Sequence, residues 1–401
     1  MKYNFDKIIN RQGTNAMSTD GFKDYLFEGG SELNLPCAEE DLISMWIADM
    51  EFAIAPEIID ALKKRLDQGI LGYSQVFGSE YKNSFLNWTK SRYDWECHPE
   101  HIVTSYGVVP ALYDLIKYIC KPNEKVLIAT PSYAFFKHAA DANKIELVYA
   151  DLICEHGNYS IDFEDFRSKA ADENVSLFIL CNPHNPTGRV WTKEELKQLG
   201  EICLENQVMI IADEIHCDLL RAGKKFTPLA KLFPESDQII TCMAPSKTFN
   251  LAGFMFANII IPNDDLRETW REDHLPINNP LSIVAAQAAY TYGEDWLNEL
   301  TTYLDHNFDV LEKYLEEHLP KSVFKIPDST YLAWVNIQAY LPDEENLTLF
   351  FANNAGVLLE GGNMFVANSD GYIRLNLACP KSRLEEGLNR ITKAIINKSK
   401  I

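Results

Sequence analysis

The chain has 401 residues, 46% of them hydrophobic and 24% charged, with a formal net charge of −21. That length exceeds one ordinary core and predicts two domains, and the composition is that of a soluble globular protein. The acidic balance argues against nucleic acid as a partner, and no apolar run is long enough to span a membrane.

The nine cysteines are scattered, with no pair at zinc-ligand spacing, so neither a metal site nor a disulfide framework is expected. The opening stretch MKYNFDKIINRQG lacks the apolar segment of a secretory signal, so a cytoplasmic protein with reduced thiols is expected.

Residues up to about Pro36 mix polar and aromatic side chains without a sustained period and are expected to wrap another part of the fold. Pro56 suits the first turn of a helix through EIIDALKKRLDQG. There Ile58, Ile59, Leu62 and Leu66 fall on one stripe and Gly69 is the stop. A loop with two glycines around Tyr73 follows, then an amphipathic helix over 81–93.

From His101 short apolar strands alternate with helices. The strands are HIVTS, KVLIAT, IELVYA, VSLFILC, QVMIIA and QIITCM. Helices are expected after Gly107, after Tyr133, over 162–172 and over 193–205, the last capped by Thr192 with Glu195 completing a capping box. Continuous apolar strands between helices predict a parallel sheet covered on both faces.

After Pro280 the texture changes. A long helical region over 281–319 precedes the strands VFKI, YLAWVNI and YIRLNLA, which read as a separate domain. The expected fold is therefore α/β: a large domain (51–285) with a mostly parallel sheet sandwiched by helices, and a smaller α+β domain (286–401). Residues 1–50 are expected to join the smaller domain.

Open α/β sheets bind ligands at the carboxyl ends of their strands. Gly107 and Val108 open a helix there, which suits a phosphate or is an ordinary tight turn. Tyr133 is an aromatic face or a core tyrosine. In NPHNPTG two prolines hold Asn185 rigidly, more constraint than the alternative of an unadorned turn requires. Asp213 is a buried carboxylate seeking a cation, or a helix cap, and His216 close behind it is a second candidate or a satisfied core histidine.

Lys247 stands at the mouth of the last strand, flanked by the hydroxyls Ser246 and Thr248, and is a site amine or a surface lysine in a strand–loop connection. Lost hydration there lowers its pKa toward a nucleophilic amine, and small hydroxylic neighbours suit an anion. A phosphate cradle, an aromatic face, a carboxylate, an asparagine and a Schiff-base lysine together suit pyridoxal 5′-phosphate.

The stretches NPHNPTGRVW, ADEIHCDL, SKTFNLAG and YIRLNLACP stand in this order. They resemble motifs of the fold-type I, aspartate aminotransferase-like pyridoxal-phosphate enzymes. The HNP, DEIH and SKTFN forms resemble the cystathionine β-lyase branch, the MalY/PatB-type C–S lyases. The likeness covers nearly the whole chain, from ADMEF near Asp49 to ACPKSRLEEGL.

The resemblance implies that Lys247 carries the cofactor and moves the Cα proton, while Asp213 keeps the pyridine nitrogen protonated. It implies that Asn185 bonds the phenolic oxygen with His216 near the same edge, that Tyr133 stacks on the ring, and that Gly107, Val108 and Ser246 contact the phosphate. Tyr73 would act catalytically at the phosphate of the neighbouring subunit's cofactor, making a homodimer with shared sites. Arg374 would grip the carboxylate of an amino-acid substrate.

The implied reaction is β-elimination from L-cystathionine or a related cysteine S-conjugate. An aminotransferase, or an added regulatory role through protein contacts, is the alternative. Ala244, Glu51, Lys381 and the loop EGGNMFVANSDG (360–371) depart from the family pattern.

Overall fold

The computed structural model describes residues 2–29 and 33–398. Its central sheet has eight strands: β1 (Ile102–Ser105), β2 (Lys125–Thr130), β3 (Glu146–Glu155), β4 (Asn158–Ile161), β5 (Val175–Cys181), β6 (Met209–Asp213), β7 (Ile239–Met243) and β8 (Ala257–Ile260). Their spatial order is β1-β8-β7-β6-β5-β2-β3-β4. Strands β3, β2, β5, β6 and β7 pair in parallel, β8 runs antiparallel between β7 and β1, and β4 folds back on β3 as a hairpin.

The apolar strands earn this place by burying both faces. On one face Val126, Ile128, Ile211 and Ile240 pack with Leu112, Leu115 and Phe136 of the helices Val108–Ile119 and Ala134–Ala142. On the other, Leu127, Phe178, Ile210 and Ala212 meet Phe166, Leu196 and Ile202 of Phe163–Ala170 and Lys193–Glu205. Successive side chains of one strand thus alternate between two cores. The expected capping box is present, with Thr192 accepting from Glu195 N–H at 3.1 Å and Glu195 accepting from Thr192 N–H at 2.7 Å.

Three strands make the smaller sheet, in the order β9 (Leu332–Asn336), β11 (Tyr372–Asn376), β10 (Glu360–Gly361), all antiparallel. The expected strand VFKI does not form. Among the described residues, only Val323 of that stretch pairs, in an isolated bridge with Asn336.

The long helical region is two helices, Pro280–Tyr292 and Glu294–His318, broken at Gly293. A Cβ at Gly293 would stand 2.3 Å from the Phe249 ring, so only glycine fits. The division expected at 285/286 falls inside the first of these helices. Ala285, Ala289 and Tyr290 belong to the same core as Tyr81, Phe85 and Trp88. The change of partner comes within Glu294–His318: Trp296, Leu300 and Leu304 pack on that core, while Phe308, Leu311 and Leu315 pack with the smaller sheet.

The N-terminal segment is also shared. Ile43–Ser44 pairs in parallel with Val357–Leu358, and Phe22 and Trp46 pack against Ala352 and Leu358. Tyr3 and Phe5 instead join Phe52, Trp296 and Tyr303 in the large core. The helix Pro56–Leu66 buries Ile58 alone fully; Leu66 is exposed, as are Ile70, Leu71, Tyr73 and Phe77 beyond it.

Candidate active site

Strands β5, β6 and β7 end side by side, and register fixes what stands there. Asp213 lies between Cys181 and Cys242, neither of which can neutralise it. The chain then turns into the short helix Pro245–Thr248, which carries Lys247. A cavity of about 290 Å³ opens over these ends. It brings together Gly107, Val108, Tyr133, Asn185, Asp213, His216, Ser246, Lys247 and Arg374.

Tyr73 is the one predicted site residue outside this cavity; at 95% exposed it stands clear of its own chain. Thr248 also departs from expectation. Its hydroxyl turns away and donates to buried Asp218 at 2.9 Å, which also accepts from Trp88 and Tyr93. Ser246 alone of the two hydroxyls faces the site.

Burial, with Arg374 as the nearby cation, pulls Lys247 down to about 8. Its Nζ donates to Ala48 O at 2.7 Å, a carbonyl that also accepts from Tyr331 OH at 2.8 Å. A substantial neutral fraction near neutrality is what amine nucleophiles require. Burial pushes Asp213 up to about 6, against a bond from Ile215 N–H and the pull of Lys247. That carboxylate is poised to accept a cationic partner. His216 is driven down to about 3 by burial, with Lys247 and Arg374 adding to it, so it serves as neutral imidazole. Its Nδ1 is buried without a hydrogen-bond partner among the described residues.

The Asn182–Pro183 and Asn185–Pro186 peptide bonds are both cis. The loop ends on Gly188 at φ +67°, where an added Cβ would stand 2.4 Å from Pro327. Asn185 accepts from Arg374 Nη1 at 3.0 Å through Oδ1, so its NH₂ is the end left to donate. Arg374 is fully buried, donates from Nη2 to Trp46 O at 3.1 Å, and keeps a buried Nε without a partner. Val108, Val109 and Pro110 present the first turn of Val108–Ile119 to the cavity, where the N–H groups of Val108 and Val109 have no intrahelical acceptor.

One polar residue was not singled out from sequence. Glu360 lies opposite Arg374 across β10 and β11, is buried, and forms an ion pair with its Nη2. A lone carboxylate in the apolar run GVLLEGG was the available signal. Among the departures, Ala244 is buried and Glu51 lies 3.8 Å from Arg383.

The residues present fit pyridoxal phosphate. The helix N-terminus, the perturbed amine, the carboxylate awaiting a cation and the free Asn185 amide, with the unpaired His216 Nδ1 nearby, complement its phosphate, aldehyde, ring nitrogen and phenolic oxygen. Among the described residues no cluster of acids, histidines and cysteines could hold a metal ion, and no helix is long and apolar enough to cross a membrane.

The family described as aminotransferase class I and II matches residues 40–391. The chain is 39% identical to cystathionine beta-lyase PatB of Bacillus subtilis over 98% of its length and 100% of the relative. It is 29% identical to protein MalY of Escherichia coli, covering 98% of this chain and 99% of that one. The PLP-bound C-S lyase of Staphylococcus hominis, complexed with the inhibitor L-cycloserine, superposes with a TM-score of 0.95 at 50% identity, covering 98% of both chains.

Proposed function

The chain belongs to the aminotransferase class I and II family, and from that premise we propose that it is a pyridoxal-phosphate-dependent carbon–sulfur β-lyase. Its substrates are L-cystathionine or related cysteine S-conjugates, which it cleaves to a thiol, pyruvate and ammonia. The observation that carries the reading is Lys247, an amine with its pKa lowered to about 8, sharing one buried cavity with Asp213. The kinship with named cystathionine lyases and a C–S lyase supports elimination over amino transfer.

When bound, pyridoxal phosphate supplies an electron sink for charge that develops at the substrate Cα. The residues of the chain do the rest. Arg374 holds the substrate carboxylate with a planar two-point grip. Lys247 takes the proton from Cα, and the C–S bond breaks with the thiolate leaving on the electron pair. Asp213, as an anion, keeps the proton on the ring nitrogen and stabilises the developing charge electrostatically. Asn185 would donate from its NH₂ with neutral His216 beside it, Tyr133 would stack against the bound cofactor, and Gly107, Val108 and Ser246 would hold its phosphate. Water then completes the balance to pyruvate and ammonia.

The same reading makes the protein a homodimer. Tyr73 is exposed on its own chain among Ile70, Leu71 and Phe77, and in such a dimer it would reach the partner's cavity. Apolar side chains this exposed and this close in sequence favour coverage by another protein surface.

Incubating the pure protein with pyridoxal phosphate and L-cystathionine should release pyruvate and free thiol in equal amounts. Stoichiometric conversion of the cofactor to pyridoxamine phosphate, with no pyruvate, would instead make it an aminotransferase.

A further inference from the structure

A second cavity, of about 640 Å³, adjoins the first. Tyr25, Tyr133, Phe135 and Glu360 line both, so Glu360 stands at the passage between them. The second cavity is walled by Met364 and Phe365 and also bordered by Glu28, Lys137 and His138. The Lys137 ammonium is already held by Asp141 at 2.6 Å, and the His138 ring packs at 5.0 Å from Phe135. The acids Glu360 and Glu28 therefore set the charge of this space.

Glu360 has a charge-balance problem that the substrate must solve. Its partner is Arg374, the group that is to receive the substrate carboxylate. A carboxylate that takes the guanidinium leaves Glu360 buried beside a second anion, and an unpaired buried carboxylate is costly. Lys247, the other cation facing Glu360, is committed to the cofactor. A cation carried by the substrate itself would restore the balance.

We propose that Glu360 and the cavity beyond it form the subsite for the sulfur substituent, and that they select cysteine S-conjugates whose substituent carries an ammonium. The inference rests on the lyase reading and deepens it by naming the substrate class. Neutral alkyl substituents fit the aromatic walls but leave Glu360 unpaired. An ammonium two or three bonds beyond sulfur replaces the lost guanidinium contact.

The test compares S-(2-aminoethyl)-L-cysteine with its neutral isostere S-propyl-L-cysteine. Dissociation constants are measured by calorimetry on the Lys247→Ala protein loaded with pyridoxal phosphate, with and without Glu360→Gln. The aminoethyl compound should bind roughly tenfold tighter when Glu360 is present, and the two should agree within about twofold in the Glu360→Gln protein. Equal affinities with Glu360 in place overturn the proposal, even if the second variant does not fold. A Glu360→Gln change that weakens both ligands alike also overturns it, because the carboxylate then serves only to hold Arg374. Binding is read without turnover, so failure to release pyruvate from L-cystathionine would count against the lyase reading and leave this measurement interpretable.

Discussion

Lys247→Ala should lower pyruvate release from L-cystathionine by about 10³-fold or more, without unfolding the protein. The lysine is asked to act as nucleophile toward the cofactor and as base at Cα, and each role alone is worth orders of magnitude. Among the described residues its only hydrogen bond is to Ala48 O, which keeps Tyr331 OH as a second donor, so little of the fold depends on it. The check is a kcat measurement beside a thermal melt. Residual turnover within about tenfold of the unaltered protein would move the proton transfer to another group.

Asp213→Asn should separate stability from function. The folded pKa of Asp213 is about 6 against an ordinary 3.8, so the folded chain holds this proton more tightly than the unfolded one. Stability therefore falls as pH rises from about 4 to about 6, and the full cost, about 3 kcal/mol at roughly 1.4 kcal/mol per unit, is present at pH 7. Asparagine removes the charge yet still accepts from Ile215 N–H, so the cofactor-free variant should be the more stable at pH 7, with the difference vanishing near pH 4. An amide cannot keep a ring nitrogen cationic, so kcat should fall about 10²- to 10³-fold. Urea titrations at the two pH values and initial rates check both halves. A less stable variant at pH 7 would show that Asp213 is already paired by a cation in the protein alone.

The strand ends were legible because each is a short apolar run closing on a residue foreign to a core: Asn185, Asp213, Lys247. Local sequence suffices where a buried strand stops at a polar group. It was silent where a neighbour distant in sequence decides. Glu360 gains its meaning from lying opposite Arg374, a pairing set by a two-residue strand that no periodicity announces. Thr248 reads like Ser246 until Asp218, thirty residues earlier, claims its hydroxyl. The Phe249 ring leaves no room for a side chain at Gly293, where the helix breaks, and one glycine in an apolar helical pattern does not reveal that contact. The β3–β4 hairpin carried a readable signal: His156 and Gly157 both take positive φ, as a two-residue turn demands. A boundary between the two cores has no local signal, because Glu294–His318 serves both along one continuous stripe.

The account rests on where the cofactor is carried, and borohydride reduction answers that directly. The protein is mixed with pyridoxal phosphate, reduced, digested and mapped by mass spectrometry. The reduced cofactor should be found bonded to Lys247 alone, and Lys247→Ala should abolish the modification. Modification of another lysine, or none, would contradict the assignment of this cavity as the catalytic centre.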